Sequence, residues 1–282
     1  MIVVAIVILG SLVVGLVGNY VFHERILAIT NRQGLDSYFI YPQTNNVFGP
    51  TGTLLALFIA FVLFGAADSY SGAKTAAQTE AAVVQSFYRT ADYLPDRYAL
   101  ALQRAAICYA RAIYGPEWQL MRDGHNELSP IAQNWVGAGP DGVRTILHEV
   151  GTGNDLFSTL LSADQSRADA RRERLTQADP TIPGIVSAFM LFAIALTIVF
   201  LAMISPRKSA AHSSASILAA ITLLGALFLI HNLDRPFRGP LALDPVQMQI
   251  TEQTVYQEFD KRYGADRLGC DKQGKPTAAS PS

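Results

Sequence analysis

Charge is scarce in this chain. Asp, Glu, Lys and Arg make up 16% of its 282 residues, and 50% are hydrophobic. Soluble domains carry about a quarter charged residues, so the composition points to an integral membrane protein. The charges that exist nearly cancel, to −1, and leave no basic field for nucleic acid. Cysteine is almost absent: Cys108 and Cys270 cannot build a disulfide framework and lack metal-type spacing. Cys108 lies in an apolar run and reads as a small core filler. The five histidines are scattered, so no metal and no cofactor is expected.

Catalytic motifs are missing too. Gly137-Ala138-Gly139-Pro140-Asp141-Gly142 spells G-x-G-x-x-G, but no strand precedes it and no helix opens on it, so it reads as a loop. His148-Glu149 starts like a zincin helix, yet Thr152 stands where the second histidine belongs. No nucleophile elbow, Walker loop or calcium-loop spacing occurs. The chain is not expected to be an enzyme. Strand-like alternation is also lacking, which makes the expected fold class all-α.

What the sequence does have is apolar runs. Four are long enough to cross a bilayer, at residues 1–22, 51–68, 183–204 and 215–233. No Lys or Arg precedes the first, so it reads as an uncleaved span and not a signal peptide. Residues 23–50 form a connecting loop in which Tyr38, Phe39 and Tyr41 suit the membrane interface. Residues 69–182 have the composition of a helical soluble domain. The four spans therefore form two hairpins that flank this domain. An exit motif and C-terminal helix follow at 234–263, and 264–282 reads as a disordered tail, being rich in Gly, Lys, Pro and Ser.

The second run organises the rest. No proline occurs from Thr51 to Tyr93, so one helix leaves the bilayer and continues into the domain, over roughly 60 Å at ~1.5 Å per residue. In its membrane half, Leu54, Phe58, Phe61 and Val62 share a stripe. Around a symmetry axis such a stripe would form a hydrophobic constriction. In its outer half Ala73, Ala77, Ala81, Val84, Phe87, Tyr88 and Ala91 recur at helical steps toward a core. The run Arg171-Arg172-Glu173-Arg174 is best read as a solvated helix face, with attraction of anions as the sharper alternative. Asp234-Arg235-Pro236-Phe237-Arg238-Gly239-Pro240 reads as an exit clamp. There Arg235 or Arg238 offsets Asp234 at a helix end, Pro236 stops the helix, and Phe237 anchors in the interface.

These pieces together resemble the bacterial bestrophin-like membrane family, a four-span domain of unknown function. The matching stretches are Asn46-Val47-Phe48-Gly49, Glu80-Ala81 through Tyr88-Arg89 and Leu94-Pro95, and Glu117-Trp118. Ala170-Arg171-Arg172-Glu173-Arg174-Leu175 and Leu233 to Pro240 complete them. Asn45 departs from the histidine frequent in the family. The resemblance implies likeness to bestrophins, which are pentameric anion channels with a cytoplasmic helical domain and an aromatic neck on the second span. It also singles out Glu80, Tyr88, Arg89, Asp234, Arg235, Pro236, Phe237 and Gly239 as structural or coupling residues.

Two readings of function follow. One is an oligomeric channel for chloride or another small anion, with the second span lining the pore. The other is a non-transporting membrane scaffold whose helical domain docks a cytoplasmic or membrane-protein partner; the lack of charge inside the spans favours it. The expected location is a bacterial inner membrane. Near the spans, Lys74, Arg167, Arg171, Arg172, Arg174, Arg235 and Arg238 on the domain side outnumber Arg25, Arg32, Arg207 and Lys208 opposite, so the domain and both termini are expected in the cytoplasm.

Overall fold

The computed structural model describes residues 6–15, 17, 37–136, 143–151, 155–203 and 210–277. The G-x-G-x-x-G stretch and most of the first connection lie outside them. The described chain is helical, with one isolated β-bridge between Cys270 and Pro276. It divides into two units. One holds Met1–Asp68 with Thr181–Asp234, and the other Ser69–Pro180 with Arg235–Ser282.

The first unit gathers α1 (Ile6–Gly15), the beginning of α2 (Ser37–Ala91), α8 (Gly184–Met203) and α9 (Ala210–Leu233). Each gives one face to a shared apolar core: Ile8 from α1, Ile59 and Ala66 from α2, Ile194 from α8, and Leu227 and Ile230 from α9. The opposite faces stay apolar and exposed, as at Phe64, Phe192 and Ile221. Lipid can cover such faces, whereas water would not favour them. Three helices are long and apolar enough to cross a membrane, within Gly49–Ala91, Gly184–Leu201 and Ser216–Leu233, and Ile6–Gly15 is a shorter apolar helix.

Helix α2 runs unbroken through both units. It begins at Ser37, so residues 37–50, expected in a loop, are helical and include Pro42 and Pro50. Proline is tolerated in membrane helices where neighbouring groups satisfy the freed carbonyls.

The second unit is built around α3 (Asp96–Ala112), in which Ala99, Leu102, Ala105, Cys108 and Tyr109 are all buried. The alanines let neighbouring helices approach closely. Gly115-Pro116 does not break the chain after α3. The residues Ile113–Glu117 form a π-turn that leads directly into α4 (Trp118–Asp123). Pro116 has no N–H to donate, and the widened turn absorbs the missing bond. The helices α5 (Pro130–Val136), α6 (Val143–Val150), α7 (Asp155–Thr176) and α10 (Val246–Tyr263) complete the unit. Asp244 does not cap α10: Pro245 precedes its first residue, and Asp244 pairs with Arg122.

Residues 264–277 are ordered, against the expectation of a disordered tail. After a 3-10 turn at Ala265–Arg267, the chain hooks back on α3. Leu268 and Cys270 are buried, and the Asp271 carboxylate accepts the backbone N–H groups of Gln273 and Lys275. Trp135 Nε1 donates to Gly274 O at 2.6 Å. Gly274 has φ +76°, and a Cβ there would meet Cys108 O at 2.5 Å, so only glycine fits. Cys108, expected as a small core filler, is buried but also forms a disulfide with Cys270, with a Cα–Cα distance of 6.0 Å.

Candidate functional site

Two places in the chain concentrate chemistry: a buried charge cluster in the second unit and the exposed stripe of α2 in the first. The cluster is assembled from four elements. Helix α7 supplies Arg171 and Arg174 one turn apart, α2 supplies Glu80, the π-turn supplies Glu117, and α3 supplies Tyr109. Arg174 is fully buried, as are Glu80 and Glu117. Its Nε donates to Glu80 Oε2 at 2.7 Å, and its Nη2 donates to Glu117 Oε1 at 2.6 Å. Its Nη1 points to Met121 Sδ at 3.1 Å, and its guanidinium lies 5.4 Å from the centroid of the Trp118 ring. Arg171 grips Glu117 with two donors, Nε at 3.1 Å and Nη2, while Ser129 N adds a third bond to the same carboxylate at 3.0 Å. The Tyr109 hydroxyl donates to Glu80 Oε1.

Two carboxylates and two guanidiniums balance in charge. Burial alone would push the Glu117 carboxyl up, but Arg174 and Arg171 offset that and hold it below the usual carboxylate range. Burial would likewise lower Arg174, and Glu80 and Glu117 keep it charged. Burial, and next the Glu80 carboxylate, push the Tyr109 phenol up, which keeps it a donor.

The run Arg171-Arg172-Glu173-Arg174 is thus a solvated face only in part. Arg172 is exposed and pairs with Asp169, whereas Arg171 and Arg174 are core residues. Their three-residue spacing was the available signal, since positions one turn apart share a helix face. A cavity of about 510 Å³ adjoins Arg171 but not Arg174, and is lined also by Arg144, Arg167 and Arg172 along with Asp164 and Asp179. Its buried arginines are already engaged, Arg167 by Asp164 and Arg171 by Glu117.

Tyr88 is buried, its backbone carbonyl accepts Gln103 Nε2 at 3.3 Å, and burial and next Glu258 raise its phenol. Arg89 is exposed, 3.9 Å from Glu258. Asp234 is buried just after α9. Its Oδ1 accepts the N–H groups of Thr181 and Ile182 at 2.9 and 3.0 Å, and so ties the end of α9 to the start of α8. Arg235 is half-buried, whereas Arg238 donates through Nε to Met121 O at 3.3 Å and covers Gly124. Pro236 is buried and its carbonyl accepts Leu243 N at 2.7 Å. Phe237 is not an interface anchor: it is buried in the second unit, edge-on to Trp118 at 5.2 Å. Gly239 has φ +82°, which a side chain would strain.

On α2 the expected stripe divides. Leu54 and Phe61 are each 67% exposed, and Leu57 and Phe64 extend their face. Phe58 and Val62 instead turn inward, where Phe58 packs edge-on to Phe189 of α8 at 5.6 Å. Among the described residues no cluster of His, Cys, Asp and Glu could hold a metal.

This arrangement defines an all-helical membrane protein with a compact, ion-paired helical core on the same chain as its spans. The chain belongs to the bestrophin-like family: a Bestrophin-like domain matches residues 9–248. A bacterial bestrophin homologue from Klebsiella pneumoniae, solved as a point variant, superposes with TM-score 0.64 at 13% identity, covering 90% of this chain and 98% of its own. A second variant from that organism gives TM-score 0.63 at 16% identity, covering 89% and 98%. A solved structure described as a membrane protein gives TM-score 0.65 at 14% identity, covering 91% and 98%. These likenesses show the fold. Among curated proteins no significant match exists.

Proposed function

We propose that this protein is the subunit of an oligomeric anion channel whose pore is lined by α2. The observation that carries the reading is the face of Leu54, Leu57, Phe61 and Phe64, which recurs at three- and four-residue steps and is covered by no other helix of the chain among the described residues. Rings of such residues around an axis make a constriction that closes by dewetting and opens when widened slightly. Phe58 and Val62, originally grouped with that face, fix the rotation of α2 by packing inward, so Leu54 and Phe61 are the pore candidates. Membership of the bestrophin-like family supports the choice of anion.

The test is chloride flux from liposomes holding purified protein. Flux above empty vesicles is expected, and Phe61→Ala should raise it several-fold by relieving the constriction. No flux above empty vesicles defeats the reading. A stoichiometric membrane partner and no homo-oligomer on native mass spectrometry would favour the scaffold reading instead.

A further inference from the structure

We propose that Cys108 and Cys270 are a reversible redox modification site: two thiols in a reducing cytoplasm, joined into the disulfide when a peroxide oxidises them. The proposal rests on the cytoplasmic side expected for the second unit and not on ion conduction. Two features carry it: a cysteine pair that stays assembled without its bond, and a way in for the oxidant at one end of it.

The hook from Leu268 to Thr277 is fastened to α3 and α5 by contacts that do not involve sulfur. Trp135 Nε1 donates to Gly274 O at 2.6 Å, and Arg111 Nη1 donates to Asp271 O at 3.3 Å. Asp271 N donates to Lys275 O at 3.0 Å and Thr277 N to Gly269 O at 2.9 Å, which closes the hook on itself. Gly274 lies so close to Cys108 O and Ala112 N that no larger residue fits. These contacts hold Cys270 beside Cys108, with 6.0 Å between their Cα atoms, inside the range that a disulfide spans. The reduced form is accommodated as well: Leu268 O lies 3.5 Å from Cys108 Sγ and can accept its S–H. A pair held within reach in both states suits switching. Cytoplasmic thiol pools keep such pairs reduced, and the disulfides that do form there are chiefly transient, catalytic or redox-sensing ones.

Cys108 is completely buried, whereas Cys270 is 8% exposed and sits in the hook. Of the hook's side chains only those of Leu268 and Cys270 are buried, so it can open locally while the core stays packed. The Cys270 thiolate then attacks one oxygen of hydrogen peroxide and breaks the O–O bond, giving a sulfenic acid and, with the thiol's proton, one water. When the hook recloses, the Cys108 sulfur displaces the hydroxyl group from the Cys270 sulfur; the S–S bond forms and a second water leaves. In sum, two thiols and one peroxide give one disulfide and two waters, and the two electrons lost by sulfur reduce the peroxide. A cytoplasmic dithiol reverses the reaction by thiol–disulfide exchange, supplying two electrons and two protons and ending as a disulfide itself. Oxidation thus joins α3 covalently to the hook, across 162 positions of chain; reduction leaves only hydrogen bonds and packing between them.

The test uses the full-length protein in the cells that make it. Cells are quenched in acid, and the protein is denatured without reductant and treated with a polyethylene-glycol maleimide. The chain has two cysteines, so the number of adducts reads the pair directly. Unstressed cells should yield mostly the form with both thiols labelled. After brief exposure to hydrogen peroxide the unlabelled form should rise several-fold, still at monomer mass on a non-reducing gel, and dithiothreitol added before the maleimide should restore both adducts. In the purified protein, reduction should speed amide hydrogen exchange over residues 268–277 several-fold; unchanged exchange would refute the locking of the hook. Two adducts that persist through peroxide would overturn the proposal, as would protein already unlabelled in unstressed cells. A peroxide-dependent dimer, or a loss of adducts that dithiothreitol does not restore, would overturn it too.

Discussion

Replacing Arg174 by methionine strands two buried carboxylates. Glu80 loses the bonds at 2.7 and 3.5 Å, and Glu117 loses the one at 2.6 Å, while neither gains access to water. Glu117 keeps Arg171 and Ser129 N, but Glu80 keeps only the Tyr109 hydroxyl among its side-chain partners here. Removing one member of a buried ion pair costs about 3–5 kcal/mol. At roughly 2–4 °C of melting temperature per kcal/mol for a domain of this size, the apparent Tm should fall by about 6–20 °C. The assay is thermal unfolding in mild detergent, followed by tryptophan fluorescence. Both tryptophans, Trp118 and Trp135, are buried in the second unit, so the signal reports on that unit. Adding Glu80→Gln to Arg174→Met should recover part of the loss, because the stranded charge is gone. A Tm drop below about 2 °C, or a coupling between the two sites below about 0.5 kcal/mol in a double-mutant cycle, would refute the argument that the cluster holds the core together.

Acid should act through the same cluster. The folded carboxyl of Glu117 lies below its unfolded value of about 4.3, so its contribution is fully present above that pH and is lost as pH falls through the folded value. Glu117→Gln should lower Tm at neutral pH, and the gap to the unmodified protein should narrow below about pH 4; a gap independent of pH would contradict this. Gly274→Ala should cost at least about 1–2 kcal/mol from its left-handed backbone alone and should loosen the hook. At a fixed dithiothreitol concentration Cys108 and Cys270 should then become alkylated several-fold faster, and an unchanged rate would count against the close approach seen at Cys108 O.

The sequence made the continuity of α2 readable because no proline or paired glycine interrupts it after Thr51, and apolar periodicity persists on both sides of Asp68. The start of the helix was not readable, since Pro42 and Pro50 look like stops when water is the assumed solvent. Arg171 and Arg174 were misjudged because a run of like charges was read by composition instead of helical phase. Only phase separates them from exposed Arg172. Their partner Glu117 was hidden further, since a π-turn changes the direction in which residues after α3 project. Phe237, surrounded by arginines and prolines, resembled an interface residue, and only the position of Trp118 in space shows where it goes. In the tail, Leu268, Cys270 and Gly274 hold a defined turn within a composition otherwise typical of disorder.

One consequence concerns the order of synthesis. The core around α3 is not made of one continuous stretch: Phe237, Met248, Val255 and Phe259 belong to it as much as Leu102 or Tyr109. Between the two contributions, the ribosome must produce α8 and α9 and hand them to the membrane. Helix α3 therefore waits, its apolar faces unfilled, until the stretch from Phe237 to Cys270 has been made. A stalled or prematurely ended chain would carry finished spans and an unfinished core. Such products should be the ones that chaperones and proteases on that side of the membrane meet most often.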